Sequence, residues 1–465
     1  MTMTRESFEK LHRFTPLPKL GLLILGRKRP GFDPEWGKEI AAAIRRAVKE
    51  EGLDAVTTEA NVADDRSLRA AIEQCVREGA RLLLVAQPTI SDGRLAPVIA
   101  GLWAGPLVLW ATPERQTGEM ISANSLVGTH VFGATLRSLH VPFELAYGHP
   151  DDPECRRELL MSLRIAGAAD ALAHAKVGLA GNHAPGFIDF HVDPSTMSDC
   201  LGAQLLHLSI PELLEIYEAV PEAEVKRDVE AFTALGLPYR NGLTAEALGV
   251  QSRFYLAAAS LMADEHLDAF AFRCWPELPN LIGQWPYVAA SRFMSEGRAV
   301  EMEGDTDGAL CSFVLENLGV GPVYTSDWLE HDHETISIWH TGSVPLQLCD
   351  PPGSESGPHI AVHFNNKKPA VIEATIKAGE AMTLCRLWHC DGSYHLTALE
   401  GESMKPRRHL LGTNGLFRTE EVDVKAWFAD RLYEGMPHHV QVVRGHHAEM
   451  LRRFAHLVSI DWHAR

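Results

Sequence analysis

The sequence predicts an α/β protein with two doubly wound parallel-sheet domains, followed by an antiparallel, barrel-like β domain. Up to about residue 320, short apolar runs alternate with amphipathic helices, which is the rhythm of parallel sheets. Beyond it, short runs of β-forming residues follow one another at hairpin intervals. The 465 residues are enough for two to four domains. We therefore predict domains at residues 1–170, 171–320 and 321–465.

The first domain opens with a continuous apolar run, residues 19–26 (KLGLLILG), which suits a strand buried on both faces. Apolar residues at helical spacing predict helices at 36–51 and 67–78. The remaining strands are predicted at residues 53–57, 81–86 and 107–111.

One apolar stretch, residues 95–111, has to be weighed as a membrane span. It is shorter than the roughly 20 residues that a spanning helix needs, and Pro97, Gly101, Gly105 and Pro106 interrupt it. We therefore interpret it as a helix followed by a buried strand.

The second domain repeats the alternation of strand and helix. Its strands are predicted at residues 176–181, 204–210 and 269–273, and its helices at 211–235, 244–264, 287–296 and 308–318. In the third domain we predict strands at residues 337–348, 359–364, 370–376, 381–389 and 393–400, then a helix at 445–454 and a strand at 457–462.

Charge and cysteine content indicate which binding partners and which cellular compartment the protein has. The formal charge of −18 disfavours nucleic acid and anionic membranes as partners. The eight cysteines form no CxxC pair and are interpreted as mostly buried free thiols of a reducing compartment. Residues 1–10 have no apolar signal core. We therefore expect a cytoplasmic protein.

No Walker A, GxGxxG, GxSxG or HExxH motif is present. The informative region starts at residues 301–310 (EMEGDTDGAL), where four acids precede an apolar helix. Such acids could simply favour the N-terminal end of that helix. They could also supply metal-binding oxygens, although spacing alone favours the capping role.

Two further segments carry polar side chains of interest. Asp327 comes at the end of a β-like run, and the HDHE run at residues 331–334 follows in what we expect to be a solvated loop. Residues 435–447 (GMPHHVQVVRGHH) place a histidine pair between a proline turn and a β-run. Carboxylates with one distant histidine suit Mn²⁺ or Mg²⁺.

In these segments the chain resembles a known family, the metal-dependent L-fucose and L-arabinose isomerases. The segments that match in order are CWP at 274–276, EGDTDGAL at 303–310, SDW at 326–328 with His340, and GMPHH at 435–439. The resemblance extends over nearly the whole chain, including THVFGATL at 129–136 in the first domain.

The resemblance implies a role for each matched residue. Glu303 and Asp327 fall on the two carboxylates that bind the metal and carry out catalysis. His439 falls on the metal-binding histidine, and His340 on the additional histidine of the arabinose type. His438 is expected beside the metal rather than on it. Trp275, His438 and Arg444 are candidates for contacts with substrate.

The implied reaction is aldose–ketose isomerisation of an open-chain sugar through an enediol, with Mn²⁺, Mg²⁺ or Co²⁺ as cofactor. One carboxylate would remove the C2 proton, and the other would move protons between oxygens or return one to C1. The family also implies a trimer or hexamer, with each site completed by a neighbouring subunit.

The substrate stays open at this stage. A simple aldose such as L-fucose or L-arabinose fits the family, and so does a sulfonated sugar, 6-deoxy-6-sulfoglucose (sulfoquinovose). A sulfonate would favour a cationic side chain, for which Arg444 and the run at residues 405–409 (KPRRH) are candidates. A metal-dependent epimerase or aldolase, or a non-catalytic sugar-binding protein, are the alternative functions.

Overall fold

The computed structural model describes residues 8–26, 32–58 and 61–464. The chain divides into two units, of which the first comprises Pro16–Ala171 and Arg453–Ser459, and the second the rest of the described chain. The domain boundaries expected near residues 170 and 320 remain predictions.

The first unit contains a five-stranded parallel sheet in the order β2-β1-β3-β4-β5. Its strands are β1 Leu20–Ile24, β2 Ala55–Thr57, β3 Leu82–Gln87, β4 Leu107–Ala111 and β5 Glu144–Tyr147. Its helices are α1 Pro34–Glu50, α2 Asp65–Arg77, α3 Leu95–Leu102, α4 Ser125–Ser138 and α5 Pro153–Ala173. Strands β1, β3 and β4 are buried along their whole length, which explains why their sequences are apolar except for Gln87 at the end of β3.

Side chains before the first two helices fix where these begin. Asp33 accepts hydrogen bonds from the backbone N–H groups of Glu35 and Trp36, and Pro34 occupies the first helical position of α1. Asp64 and Ser67 form a reciprocal capping box at the start of α2.

The second unit begins with a four-stranded parallel sheet in the order β7-β6-β8-β9. Its strands are β6 Lys176–Ala180, β7 Gln204–Leu208, β8 Ala269–Phe272 and β9 Ala299–Glu301. Its helices are α6 Pro194–Leu201, α7 Ile210–Ala219, α8 Glu222–Thr233, α9 Leu248–Asp264, α10 Leu278–Leu281, α11 Tyr287–Ser295 and α12 Thr306–Leu318. The loops after β6, β8 and β9 leave the same edge of this sheet, which is the usual ligand-binding edge.

A closed antiparallel barrel follows in the same unit. Its six strands run in the ring order β16-β11-β10-β17-β14-β15, and β15 pairs again with β16 to close it. The strands of this region are β10 Tyr324–His331, β11 Thr335–His340, β12 His359–Val362, β13 Pro369–Thr375, β14 Ala381–Cys390, β15 Ser393–Met404, β16 Thr413–Arg418, β17 His439–Arg444 and β18 Asp461–His463. The helices after residue 320 are α13 Val424–Tyr433 and α14 Ala448–Val458, and the part of α14 from Arg453 onward belongs to the first unit.

The predicted fold class is therefore confirmed, with some elements corrected. The single helix expected at 211–235 is two helices, because the chain turns at Val220 and Pro221, and proline cannot continue a helix. The strand expected at 337–348 is β11 up to His340, after which residues 346–348 form a 3₁₀ turn.

The end of the chain also differs from the prediction. Helix α14 continues to Val458, and the strand expected at 457–462 is reduced to β18. Leu451, Phe454 and Ala455 are buried at helical spacing, which shows why the apolar run at 454–458 belongs to a helix. Among the described helices, none has both the length and the apolar character to cross a membrane.

Candidate active site

Glu303 lies in the loop between β9 and α12, at the ligand-binding edge of the second parallel sheet. Its backbone has a φ of 64°, which side-chain-bearing residues rarely adopt. The Glu303 carbonyl accepts a hydrogen bond of 2.7 Å from the N–H of Ala184. A Cβ on the following Gly304 would lie 2.4 Å from the carbonyl oxygen of Asn182, so glycine is required there. The loop thus holds Glu303 in a strained, fixed position.

Asp305 connects this loop to the barrel. It caps α12 through a 2.9 Å hydrogen bond from the N–H of Gly308, and the Arg386 guanidinium donates to both of its oxygens at 2.7 Å. Its Oδ2 also lies 3.0 Å from Nδ1 of His439. Burial alone would raise the pKa of this carboxyl, but Arg386 and His439 hold that pKa far below its ordinary value. Asp305 therefore caps a helix and also contacts a histidine of the candidate metal site, so both explanations of the acids at residues 301–310 apply.

Asp327 and His439 come together because β10 and β17 are neighbouring antiparallel strands. The register pairs Asp327 directly with His439, so their side chains share one face. Nε2 of His439 lies 3.5 Å from Oδ1 of Asp327 and 3.3 Å from Oε2 of Glu303. His340, at the end of β11, has its ring centre 5.3 Å from that of His439. The structure thus brings together residues from three separate sequence segments.

The donor atoms of this cluster suit a divalent cation. Two groups have ligand atoms that all lie within 4.8 Å of one another, namely Glu303 with His438 and His439, and Asp327 with His340 and His439. The Nε2 atoms of His439 and His340 are buried and make no hydrogen bond of acceptable geometry within the described chain. Buried polar atoms without partners are rare unless an ion or ligand completes them. Carboxylate and imidazole donors fit Mn²⁺ and similar ions.

The cluster's electrostatics agree with this use. Burial opposes a charge on His439, but the carboxylates of Asp305, Asp327 and Glu303 raise the pKa of this imidazole well above its ordinary value. The cluster thus attracts positive charge, which a divalent cation would supply in place of the proton.

Burial lowers the pKa of His340 and keeps its imidazole neutral, as a metal ligand must be. Burial opposes ionisation of Asp327, but the nearby His439 and the charges of His340 and His438 keep the pKa of this carboxyl below its ordinary value. Asp327 therefore stays ionised at neutral pH.

His438 is held beside the cluster by a carboxylate that the sequence did not reveal. Its Nδ1 lies 2.5 Å from Oδ2 of Asp189, and its ring stacks on Phe190 with centres 4.5 Å apart. Its Nε2 lies 3.9 Å from Oδ1 of Asp327. Burial would raise the pKa of Asp189, but the hydrogen bond and charge of His438 lower it. Asp189 thereby fixes the orientation of the His438 ring.

Next to the carboxylates lies a cavity of about 310 Å³ with mostly aromatic walls. Its lining residues are Phe187, Trp275, Trp285, Tyr287, Glu303, Asp327, Trp339, Thr341, His363, Phe364 and Asn365. Trp275 donates a hydrogen bond of 3.1 Å from Nε1 to Oε1 of Glu303. A cavity with apolar walls and two carboxylates at one end suits a small polyhydroxylated ligand, since sugars stack on aromatic rings and bind through their hydroxyls.

Other residues singled out in the sequence lie elsewhere. The Arg444 guanidinium contacts Glu380 at 2.7 Å and donates to the backbone carbonyl of Gln347 at 2.7 Å. The basic run at 405–409 contributes to a separate cavity of about 520 Å³ that Arg240 and Asp350 also line. Asp332 accepts hydrogen bonds from two backbone N–H groups of the β10–β11 hairpin, as the solvated-loop interpretation predicts.

Several residues around the site carry no sequence signal. Asp189 and Arg386 belong to no motif, and His363 is one of many histidines. Trp285 and Trp339 could be suspected only from the general frequency of tryptophan in sugar sites. These side chains reach the site through β-sheet register and loop packing, which spacing along the chain does not encode.

The chain is similar in sequence to three curated proteins of one kind and to several of another. It is 28% identical over 382 residues to a sulfoquinovose isomerase of Priestia megaterium, which covers 80% of this chain and 83% of that protein. A sulfoquinovose isomerase of Alkalicoccus urumqiensis is 26% identical over 380 residues, again 80% and 83% of the two chains. An L-arabinose isomerase of Aeromonas hydrophila is 22% identical over 351 residues, 72% of this chain and 69% of that one. No protein-family model matches the chain.

Proposed function

Since the chain is homologous to the sulfoquinovose isomerases and L-arabinose isomerases of the arabinose/fucose isomerase family of aldose–ketose isomerases, we propose that it is a metal-dependent aldose–ketose isomerase. The observation that carries this proposal is the convergence of Glu303, Asp327, His340 and His439 at one end of the aromatic cavity. We propose sulfoquinovose as the substrate to test first, because the relatives at 28% and 26% identity are sulfoquinovose isomerases.

We assign the metal ligands to Glu303, Asp327 and His439, with His340 as a fourth. A divalent cation bound there would act as a Lewis acid toward the sugar's C1 and C2 oxygens. Mn²⁺ is the ion we expect, with Mg²⁺ and Co²⁺ as alternatives.

The proton transfers are assigned to the two carboxylates. Isomerisation moves the C2 proton to C1 and the proton of the C2 hydroxyl to the oxygen on C1. One of Glu303 and Asp327 removes the carbon-bound proton and returns it to C1, and the other carries the proton between the oxygens. Asp327 is ionised and therefore able to accept a proton. Trp275 restrains Glu303 through its Nε1 hydrogen bond and forms part of the cavity wall.

The cavity constrains how a sulfonate could be bound. Among the described residues that line it, the charged ones are the acids Glu303 and Asp327. Arg444 and residues 405–409, the candidate cations, lie outside it. A sulfonate would thus be bound by neutral donors of this chain or by a neighbouring subunit of the expected trimer or hexamer. The trimer or hexamer remains a prediction, which analytical ultracentrifugation would test. A cytoplasmic location remains a prediction as well.

A single experiment tests the proposal. Metal-stripped protein is incubated in D₂O with sulfoquinovose, D-glucose, L-fucose and L-arabinose, with and without Mn²⁺, and products are followed by proton NMR. We expect a ketose only when Mn²⁺ is present, with deuterium introduced at C1. Products with a shortened carbon chain or an inverted carbon would instead indicate an aldolase or an epimerase.

Two variants make the test specific to the site. Glu303→Gln should lose turnover almost completely while retaining part of its Mn²⁺ binding, because the amide can no longer accept the proton. Glu218→Gln, which changes an exposed acid on α7, is the matched control and should keep full activity. Turnover by Glu303→Gln close to that of the control would contradict the assigned role.

A further inference from the structure

We infer that His363 binds the end of the sugar remote from C1 and C2, by donating a hydrogen bond from Nε2 to the hydroxyl oxygen of C4 or C5 or to a sulfonate oxygen of the group on C6. This inference rests on the proposed function, because it names a specificity determinant of that same site.

His363 follows β12 and is 3% exposed. It lines the same cavity as Glu303 and Asp327. The Tyr287 ring centre lies 6.2 Å from that of His363 and 6.4 Å from that of His340. The Tyr287 side chain is thus a neighbour of both His363 and the metal-binding group. A sugar held at the carboxylates by its C1 and C2 oxygens would extend its other end toward this wall.

The hydrogen bonds of the ring identify its donor atom. The backbone N–H of Asn365 donates to Nδ1 of His363 at 3.3 Å, so Nδ1 acts as the acceptor. In a neutral imidazole the proton is then on Nε2. Burial lowers the pKa of His363 to about 4, so the ring is neutral at physiological pH. His363 therefore presents one uncharged donor.

This donor has no partner within the described chain. Nε2 of His363 is buried and makes no hydrogen bond there. Leaving a buried donor unsatisfied is costly, so such atoms usually meet a ligand, an ion or an ordered water. Because the residue lines a cavity that holds two carboxylates, an oxygen of the bound sugar is the partner that we assign.

The ring is fixed before any ligand binds. It stacks on Trp285 with ring centres 4.1 Å apart and planes inclined by 17°. Trp285 in turn donates from Nε1 to Oδ1 of Asn366 at 2.8 Å, in the same loop. The N–H of His363 donates to the Lys368 carbonyl at 2.8 Å. The stacking on Trp285 and the backbone hydrogen bond fix the position of Nε2. A fixed donor binds only a ligand oxygen at the matching position, and little conformational freedom is lost on binding.

The test combines two variants with substrate analogues. His363→Phe keeps a flat ring for stacking on Trp285 but removes the donor, whereas His363→Gln restores an amide N–H near the position of Nε2. Activity is measured on sulfoquinovose, its 4-deoxy and 5-deoxy forms, and 6-deoxy-D-glucose, which lacks the sulfonate. His207→Phe, at an exposed position on β7, is the control.

We expect His363→Phe to lower kcat/KM on sulfoquinovose by about 10- to 100-fold, the range for a lost hydrogen bond to a buried group. For the one analogue that lacks the partner oxygen, wild type and His363→Phe should be equally active. His363→Gln should recover part of the loss. The Mn²⁺ dissociation constant, measured by titration, should stay unchanged in both variants.

An equal penalty on every analogue, or a weakened Mn²⁺ affinity, would overturn the inference and indicate a structural role. Failure of the proposed function gives a different result, namely that wild-type protein isomerises none of the sugars. In that case sugar binding is measured through tryptophan fluorescence of Trp285 and its neighbours. Binding that His363→Phe leaves unchanged, or no binding by wild type, would overturn the inference as well.

Discussion

The imidazole Nδ1 of His439 lies 3.0 Å from Oδ2 of Asp305, and both side chains are at most 1% exposed. This contact uses one nitrogen of His439 and leaves Nε2 directed at Glu303 and Asp327. Arg386 holds Asp305 with two hydrogen bonds of 2.7 Å, so the carboxylate cannot turn away. A carboxylate behind a metal-binding histidine fixes the ring and strengthens it as a ligand.

Asp305→Asn should therefore weaken Mn²⁺ binding by about 10- to 100-fold, the usual effect of losing such a carboxylate. The amide can still occupy the space but no longer supplies the charge that orients the ring. Isothermal titration of metal-stripped protein with Mn²⁺ gives the affinity, and circular dichroism checks that the variant is folded. Glu218→Gln is again the control. An unchanged affinity in folded Asp305→Asn would refute the positioning role.

Trp275→Phe isolates the hydrogen bond to Glu303. Phenylalanine keeps an aromatic wall for the cavity but cannot donate to Oε1. We expect kcat to fall by about 10-fold, since one hydrogen bond to a charged group is worth roughly 1.5 kcal/mol or more. The Mn²⁺ affinity should change much less than in Asp305→Asn. Comparing kcat with KM on the identified sugar makes the measurement, and a change confined to KM would instead assign Trp275 to substrate binding.

How far the sequence could predict the site depends on where each residue lies. Glu303 and Asp327 could be identified from the sequence, because Glu303 lies in a motif that precedes a predicted helix and Asp327 ends a β-like run. The approach of Asp327 to His439 is a matter of sheet register, which pairs the two residues across β10 and β17, and Glu303 reaches them from the loop after β9. Local periodicity predicted the parallel sheets, because strands such as β1, β4 and β8 are apolar runs. The closure of the barrel depends on pairing between β15 and β16, a contact that no local pattern specifies.

The misassigned elements have a similar cause. The mostly apolar run at 454–458 (FAHLV) suits a strand and a helix equally, and only burial of Leu451 and Phe454 on one face decides for a helix. Arg444 was a candidate for substrate binding through its place after the histidine pair. Because it ends β17, its side chain instead meets Glu380.

The thiols of the first unit should resist modification in the native protein. Burial raises the pKa of Cys75 and of Cys155 to about 11, and both are almost fully buried. At pH 8 the thiolate fraction is then only about 10⁻³, and the thiolate is the reactive form. With a disulfide reagent at pH 8, Cys200 and Cys390, which are partly exposed, should react first.

Mass spectrometry of the labelled peptides identifies which cysteines have reacted, and Cys200→Ser confirms the assignment of the fast phase. All eight cysteines should react after denaturation in guanidinium. Labelling of native Cys75 as fast as that of Cys200 would show that the first unit opens far more readily than its packing indicates.

Glu373 makes the stability of the barrel region depend on pH. Its Oε1 lies 3.2 Å from Nη1 of Arg240, 3.2 Å from Nε2 of His359 and 3.3 Å from Nε2 of His409. Burial opposes its ionisation, but the hydrogen bonds and charges of the two histidines lower the pKa of this carboxyl below its ordinary value. A lowered pKa in the folded state contributes stability that is complete above the ordinary value of about 4.3 and is lost as the pH falls below it.

Glu373→Gln should therefore reduce the free energy of unfolding by about 1–3 kcal/mol at pH 7, because Arg240 and both histidines lose their charged partner. The difference from wild type should persist down to about pH 5 and shrink at pH 4, where the Glu373 carboxyl of the unfolded chain takes up its proton before that of the folded protein does. Urea unfolding followed by circular dichroism at these three pH values measures it, with Glu218→Gln as the exposed control. A difference that stayed constant from pH 7 to pH 4 would mean that the packing of the side chain, and not its charge, stabilises this region.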